Sequence, residues 1–143
     1  SNKRIKYIQS HTKNISSILK KPKIIHSIFH FGEFSRIYQS FNQMDKCMES
    51  NSIGSNAVFS FCLKNKIKLI YSATSATIGN RGSDKNLSPY AFTKAKNLEL
   101  LENLKKWFKF KFEIIYLAQI KLQMEVWLLL SVFLKNAIKK INH

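Results

Sequence analysis

Residues 67–94 read IKLIYSATSATIGNRGSDKNLSPYAFTK, and this stretch decides the fold. Ile67-Lys68-Leu69-Ile70, running into Tyr71, is a short apolar run of strand type. Ser72 to Leu87 is small, polar and glycine-containing, the composition of a loop leaving a strand's C-terminal end. Ser88-Pro89 then opens a helix expected to run to about Phe108. Serine can accept hydrogen bonds from the free amides of a first turn, and proline's fixed φ suits the first helical position.

Working outward, the same alternation continues on both sides. Phe112 to Leu117 is a further buried strand. Upstream, Phe41 to Leu63 is helical in pattern, with an irregularity expected near Asn51 to Gly54. Ile24 to Phe31 is a mostly apolar strand ending at Gly32, interrupted by His26, Ser27 and His30. Ile15 to Leu19 reads as a short helix that stops at Lys20-Lys21-Pro22, and Ile5 to Ile8 as a first strand. Three main strands separated by helices imply an α/β fold, a doubly wound parallel sheet with flanking helices. Such sheets bind ligands at the C-terminal ends of their strands, so the loops after Phe31, Tyr71 and Leu117 are where chemistry is expected.

Composition bounds the alternatives. In 143 residues, 45% apolar with four glycines and two prolines, there is material for one domain with a core. The formal net charge of +16 raises the question of a nucleic-acid partner. Nearly all of it is lysine, however, and the only arginines are Arg4, Arg36 and Arg81. Phosphate and base readers favour the planar arginine fork, and these lysines are scattered among Ile, Asn and Phe, so nucleic acid is not the expected partner. Cys47 and Cys62 read as small buried apolar residues of a reducing compartment, and no Cys/His cluster has metal-ligand spacing. The polar start Ser1-Asn2-Lys3-Arg4 does not resemble a signal peptide, and the apolar run Val126 to Leu134 is too short to span a bilayer. A cytoplasmic protein without a membrane partner is expected.

On the helix that starts at Pro89, Tyr90 and Lys94 stand at i and i+4, which puts both side chains on one face, one turn apart. An ammonium close to a phenol favours the phenolate, and a tyrosine tuned that way can act as a general acid or base. The pair alone is common in ordinary helices. Its context gives it meaning, since a hydroxyl from Ser72 to Thr77, just past a strand, could bond the oxygen on which the tyrosine works.

Four segments in order and in register carry a resemblance. Ile28-Phe29-His30-Phe31-Gly32 is similar to "VFHLAA", and Asn51-Ser52-Ile53-Gly54-Ser55 to "NVxGT". Tyr71 to Gly79 is similar to "YxSSxxVYG", and Ser88-Pro89-Tyr90-Ala91-Phe92-Thr93-Lys94 to "SPYxxSK". Over roughly residues 5 to 117 the chain resembles the extended short-chain dehydrogenase/reductase family, in its branch of NAD-dependent nucleotide-sugar epimerases and dehydratases. The resemblance implies a partial Rossmann-like domain over residues 1–117, with NAD as cofactor and a nucleotide sugar as substrate. It makes Tyr90 the catalytic acid/base. It makes Lys94 the holder of the nicotinamide ribose hydroxyls and the group that lowers the Tyr90 pKa. Thr74, or Ser75 if the loop shifts by one, would polarise the substrate oxygen. Phe31, Gly32 and Ser72 would line the cofactor cleft. Asn51 would sit in the helix below the site, with a buried structural amide as the alternative. His11 falls where the family has an aspartate near the adenine ring. The implied reaction is transient oxidation of the sugar: Tyr90 takes a hydroxyl proton while hydride passes to NAD, then returns to the other face in an epimerase or after loss of water in a dehydratase.

The match fails at both ends. The family opens with a strand and G-x-x-G-x-x-G, whereas no glycine precedes Gly32. After Tyr116 the family continues with an aromatic-Asn pair and a glycine, whereas residues 118–143 form a lysine-flanked apolar stretch that matches nothing in it and reads as a helical tail, native or the product of a frameshift. A chain with poor or no turnover is therefore expected. The competing expectation is a non-catalytic remnant that dimerises: the resemblance implies that the helices Phe41 to Leu63 and Pro89 to Phe108 pair across a two-fold interface, with Leu98, Leu101, Leu104 and Phe108 as seam or equally as core.

Overall fold

The computed structural model describes residues 7–74 and 86–117. A 3-10 turn at Thr12–Asn14 leads into α1 (Ile15–Ile18), and a second at Pro22–Ile24 leads into β1 (Ser27–His30). Next come α2 (Ile37–Asn42), α3 (Met44–Met48), a π-helical segment (Glu49–Gly54) and α4 (Ser55–Asn65). Then follow β2 (Lys68–Thr74), α5 (Pro89–Phe108) and β3 (Phe112–Leu117). The strands are parallel in the order β1-β2-β3, with His30 beside Tyr71 and Tyr71 beside Ile114.

Two helices hand the chain to strands in the same way. After α4, Lys66 turns left-handed (φ 56°, ψ 35°), its amide bonding Leu63 and the next amide, Ile67, bonding Cys62. After α5, Lys109 does likewise (φ 55°, ψ 36°), with its amide on Lys105. Glycine is the usual residue at such a cap; a lysine there accepts about 1 kcal/mol of backbone strain in return for satisfying the last carbonyls.

At the other end of α5 the expected cap is present. Ser88 is extended, its hydroxyl accepts from the Ala91 amide at 3.0 Å, and Pro89 takes the first helical position. The helix bounds and β3 agree with the sequence reading. Strand β2 runs further than expected, through Thr74, because Ser72, Ala73 and Thr74 keep pairing with Ile115, Tyr116 and Leu117. A strand buried on both faces tolerates such small residues. The strand expected at Ile5 to Ile8 is not found where it can be judged: Tyr7 and Ile8 lie exposed in irregular chain.

The expected long helix is broken rather than continuous. Gln43 (φ −127°, ψ 45°) separates α2 from α3, and the irregularity foreseen near Asn51 to Gly54 is the π-helical segment. Gly54 has a steric reason to be there: a Cβ on it would stand 2.3 Å from the Thr12 hydroxyl. The N-terminal 3-10 turn presses on the helix at that point.

The core lies on one face of the sheet. Val58, Phe59 and Cys62 of α4 and Leu101 of α5 pack with Leu69 and Tyr71 of β2, and Phe59 meets the Tyr71 ring edge-on at 5.5 Å. Leu101 is fully buried and Leu98 and Leu104 pack against this cluster, so these three serve as core, while Phe108 is exposed. On the other face Phe29 is 50% exposed. Both cysteines are buried free thiols; burial pushes Cys62 up to about 12 and raises Cys47, so neither is a ready thiolate. Residues 118–143 lie outside the described residues.

Candidate active site

The capped start of α5 sets Tyr90 beside the end of β2. Its amide donates to the Ser40 hydroxyl of α2, and its half-buried phenol is hydrogen-bonded to the side chain of Thr74. Ser75, the alternative to Thr74, lies outside the described residues. One turn on, the Lys94 ammonium donates to the Glu33 carboxylate and to the Ser72 carbonyl, and sits 4.6 Å from the centre of the Tyr71 ring. Tyr90, Lys94 and Thr74 thus meet at the C-terminal end of β2.

Glu33 is the most connected of the residues that the sequence reading missed. The chain leaves β1 in a three-residue turn in which the Glu33 amide bonds the Phe31 carbonyl at 3.0 Å. That turn, centred on Gly32, folds the Glu33 side chain inward until only 3% of it is exposed. It then accepts from the Tyr71 phenol and the Asn97 amide, each at 3.0 Å, and from the Ser55 hydroxyl. Ser55 has a single proton and gives it to Glu33, so His30 Nε2, 2.9 Å away, is the donor to the serine oxygen. Asn97 also donates to the Asn51 carbonyl at 2.6 Å and to the Tyr71 oxygen at 3.1 Å. A signal for Asn97 was available, since 90, 94 and 97 share one helical face. Glu33 gave a fainter one: it is a lone acid at the end of an apolar strand in a chain with 8 acidic residues.

Asn51, fully buried in the π-helical segment, ties this floor together. Its side chain bonds both the amide and the carbonyl of Phe34, and donates to the Thr93 hydroxyl at 3.1 Å. The remaining residues singled out from sequence stand as follows. The Ser72 hydroxyl donates to the His30 carbonyl, leaving its own carbonyl for Lys94. Phe31 packs edge-on against Phe29. Gly32 is exposed, and a Cβ there would meet only the Thr12 methyl at 3.7 Å, ordinary contact. His11 caps the first 3-10 turn by accepting from the Lys13 amide, and its ring lies against Gly54.

Burial dominates the electrostatics. It lowers the Lys94 ammonium's proton affinity, against the pull of Glu33, and it lowers His30, again against Glu33. Burial and the Glu33 charge push the Tyr71 phenol far up. Tyr90 also stands above its ordinary value: burial raises it, the Thr74 hydrogen bond opposes, and Glu33 and Cys47 add to the rise. Tyr90 is thus raised, with burial the largest cause, rather than lowered as the resemblance leads one to expect from Lys94. Among the described residues no group of three or more His, Cys, Asp or Glu could hold a metal, and no helix is long and apolar enough to cross a membrane.

A sequence model of the NAD dependent epimerase/dehydratase family matches residues 2–120. The chain belongs to that family. Searched against curated proteins, this family member finds no match. Among solved structures it is similar to a Streptomyces venezuelae dTDP-glucose 4,6-dehydratase double mutant with NAD bound (TM-score 0.72, 14% identity, 81% of this chain and 39% of that one). It is also similar to the UDP-Glc/GlcNAc 4-epimerase of Campylobacter jejuni (0.68, 20%, 80% and 38%). A third is the UDP-N-acetylglucosamine 4-epimerase of Methanobrevibacter ruminantium (0.65, 22%, 82% and 39%). At these identities the likeness establishes a shared Rossmann-like α/β fold. The chain spans about two fifths of the length of these enzymes. NAD is the family's cofactor.

Proposed function

We propose that this chain carries the proton-handling centre of an epimerase or dehydratase acting on a nucleotide sugar. The observation that supports this most is the joining of Tyr90 to Thr74 one turn from Lys94, at the C-terminal end of a parallel strand. Tyr90 would exchange a proton with a sugar hydroxyl, and Thr74 would hold the oxygen that gains or loses it. One feature supports NAD binding at these residues. An ammonium has three N–H groups, and among the described residues two of those on Lys94 are taken, by Glu33 and by the Ser72 carbonyl. The third could hold the ribose hydroxyls of NAD, and exposed Gly32 leaves the β1 turn open to approach. When bound, NAD supplies the hydride acceptor and donor. What the chain supplies is a cation of fixed position, a phenol and a hydroxyl.

Titrating NAD into the 143-residue chain tests this. Lys94→Met is expected to weaken binding about tenfold or more, the worth of one charge-assisted hydrogen bond (roughly 1.4 kcal/mol). Hydride transfer from UDP-glucose or dTDP-glucose, followed by NADH fluorescence, is expected to be slow and to vanish in Tyr90→Phe. NAD binding indifferent to Lys94, or hydride transfer that survives Tyr90→Phe, would sink the assignment.

A second reading, self-association, is favoured by an apolar patch. Phe41, Met44 and Met48 of α2 and α3 lie exposed beside Leu87 and Phe92 at the start of α5. This patch lies on the helices that the resemblance pairs across a dimer interface, at a different place from Leu98, Leu101 and Leu104, which pack in the core. Sedimentation that becomes monomeric in Met44→Lys would support it; sedimentation unchanged by that substitution would remove it.

A further inference from the structure

The buried carboxylate of Glu33 has no part in the mechanism just described, yet it contacts more of the site than any other side chain. Its neutral partners, Ser55, Tyr71 and Asn97, come from α4, β2 and α5. Among the described residues its one partner that is charged at neutral pH is Lys94, since His30, 3.8 Å away, is held neutral by burial. The other titratable groups facing this pair are His30 from β1, Cys47 from α3, Tyr71 from β2 and Tyr90 from α5. None of these is a cation or anion at neutral pH, since burial lowers His30 and raises the cysteine and both phenols. Among the described residues, then, Lys94 has one counter-charge and Glu33 has one counter-charge, and they are each other.

We infer that Glu33 is a positioning residue, whose carboxylate keeps Lys94 protonated inside the protein and fixes its ammonium beside the Ser72 carbonyl, with one N–H left to face a ligand. A buried lysine without a counter-charge sheds its proton and loses that role. Glu33 reaches Lys94 only because the turn at Gly32 returns it under the strand ends, so the β1 loop, rather than the helix that bears Lys94, determines where the cation stands. The inference relies on the proposed function for the identity of the ligand and on the geometry for the rest.

The test is a pH titration of lysine side-chain carbons by NMR in the ligand-free chain, with the Lys94 signal assigned by its loss in Lys94→Arg. In Glu33→Gln, which keeps the shape and removes the charge, Lys94 is expected to lose its proton at least about one pH unit lower than in the wild type, a tenfold drop in proton affinity. Glu33→Asp, which keeps the charge, is expected to restore most of that loss. An unchanged Lys94 titration in folded Glu33→Gln overturns the inference, because a purely structural staple would leave that titration alone. Should Glu33→Gln fail to fold, the double variant Glu33→Gln/Lys94→Met decides. Folding restored by removing both charges supports the pairing, and a double variant that still fails shows that Glu33 serves its neutral partners instead. NAD then separates the two proposals. If it binds neither wild type nor variant at any pH, the cofactor reading fails while the lysine titration still judges Glu33. If it binds, the affinity gap between them is expected to widen as pH rises through the lowered Lys94 titration.

Discussion

Strand β2 has a lysine–glutamate pair at each end. At the N-terminal end Lys68 meets Glu113 of β3 at 2.5 Å, with 39% and 63% of the two side chains exposed. Past the C-terminal end Lys94 meets Glu33 with 5% and 3% exposed. The chemical groups are the same, and the difference lies in what surrounds them. Water screens the first pair and solvates either partner if the other is lost. Around the second pair, Tyr71, Asn97, Ser55 and His30 stand where water would be, and each is oriented by the fold. The sheet thus keeps one end adaptable and the other preset, and only the preset end holds Tyr90 and Thr74.

The comparison can be broken most directly by removing one buried partner. Lys94→Met leaves the Glu33 charge in the interior without a cation, and is expected to cost about 3–5 kcal/mol of unfolding free energy in a urea titration. A loss below about 1 kcal/mol would mean that the preset end is no drier than the other. The next effect is a pH dependence from His30, whose proton affinity burial lowers below the ordinary 6.5. The unfolded chain then binds the proton more readily than the folded one, so stability is present above that value and is lost as pH falls through the folded value. Urea midpoints at neutral and mildly acidic pH are expected to show this loss, and His30→Asn to show less of it. At the other end, Glu113→Gln is expected to change stability by less than about 0.5 kcal/mol, and a larger change would show that the exposed pair is held more rigidly than its exposure implies.

How far the sequence led differs along the same strand. The strand–loop–helix reading of residues 67–94 placed β2 and α5, because apolar runs and a serine–proline cap act locally. The face carrying Tyr90 and Lys94 followed from helical spacing alone. Glu33 was not legible, because a three-residue turn at Gly32 decides which way the side chain points and nothing in the local pattern announces that turn. The site contacts of Ser55 and Asn97 were missed for a related reason: each forms only when elements distant in sequence have packed. The first strand expected at Ile5 to Ile8 went astray at Tyr7 and Ile8, where apolar residues stand outside any ladder. Leu98, Leu101 and Leu104, open between seam and core in the sequence, pack in the core, since an amphipathic stripe does not say which neighbour it faces.

The strand order carries one more consequence, for the way in which the fold comes apart. Among the described residues β2 is the strand paired on both sides, while β1 and β3 each depend on it. Either outer strand can detach and leave a two-stranded remnant, but the loss of β2 dissolves the sheet. The amides from Leu69 to Ala73 are therefore expected to exchange with solvent last, as amide hydrogen exchange would show. They lie next to Thr74 and to the Ser72 carbonyl that Lys94 bonds, so a fluctuation that opens the middle of the sheet takes the candidate site apart with it.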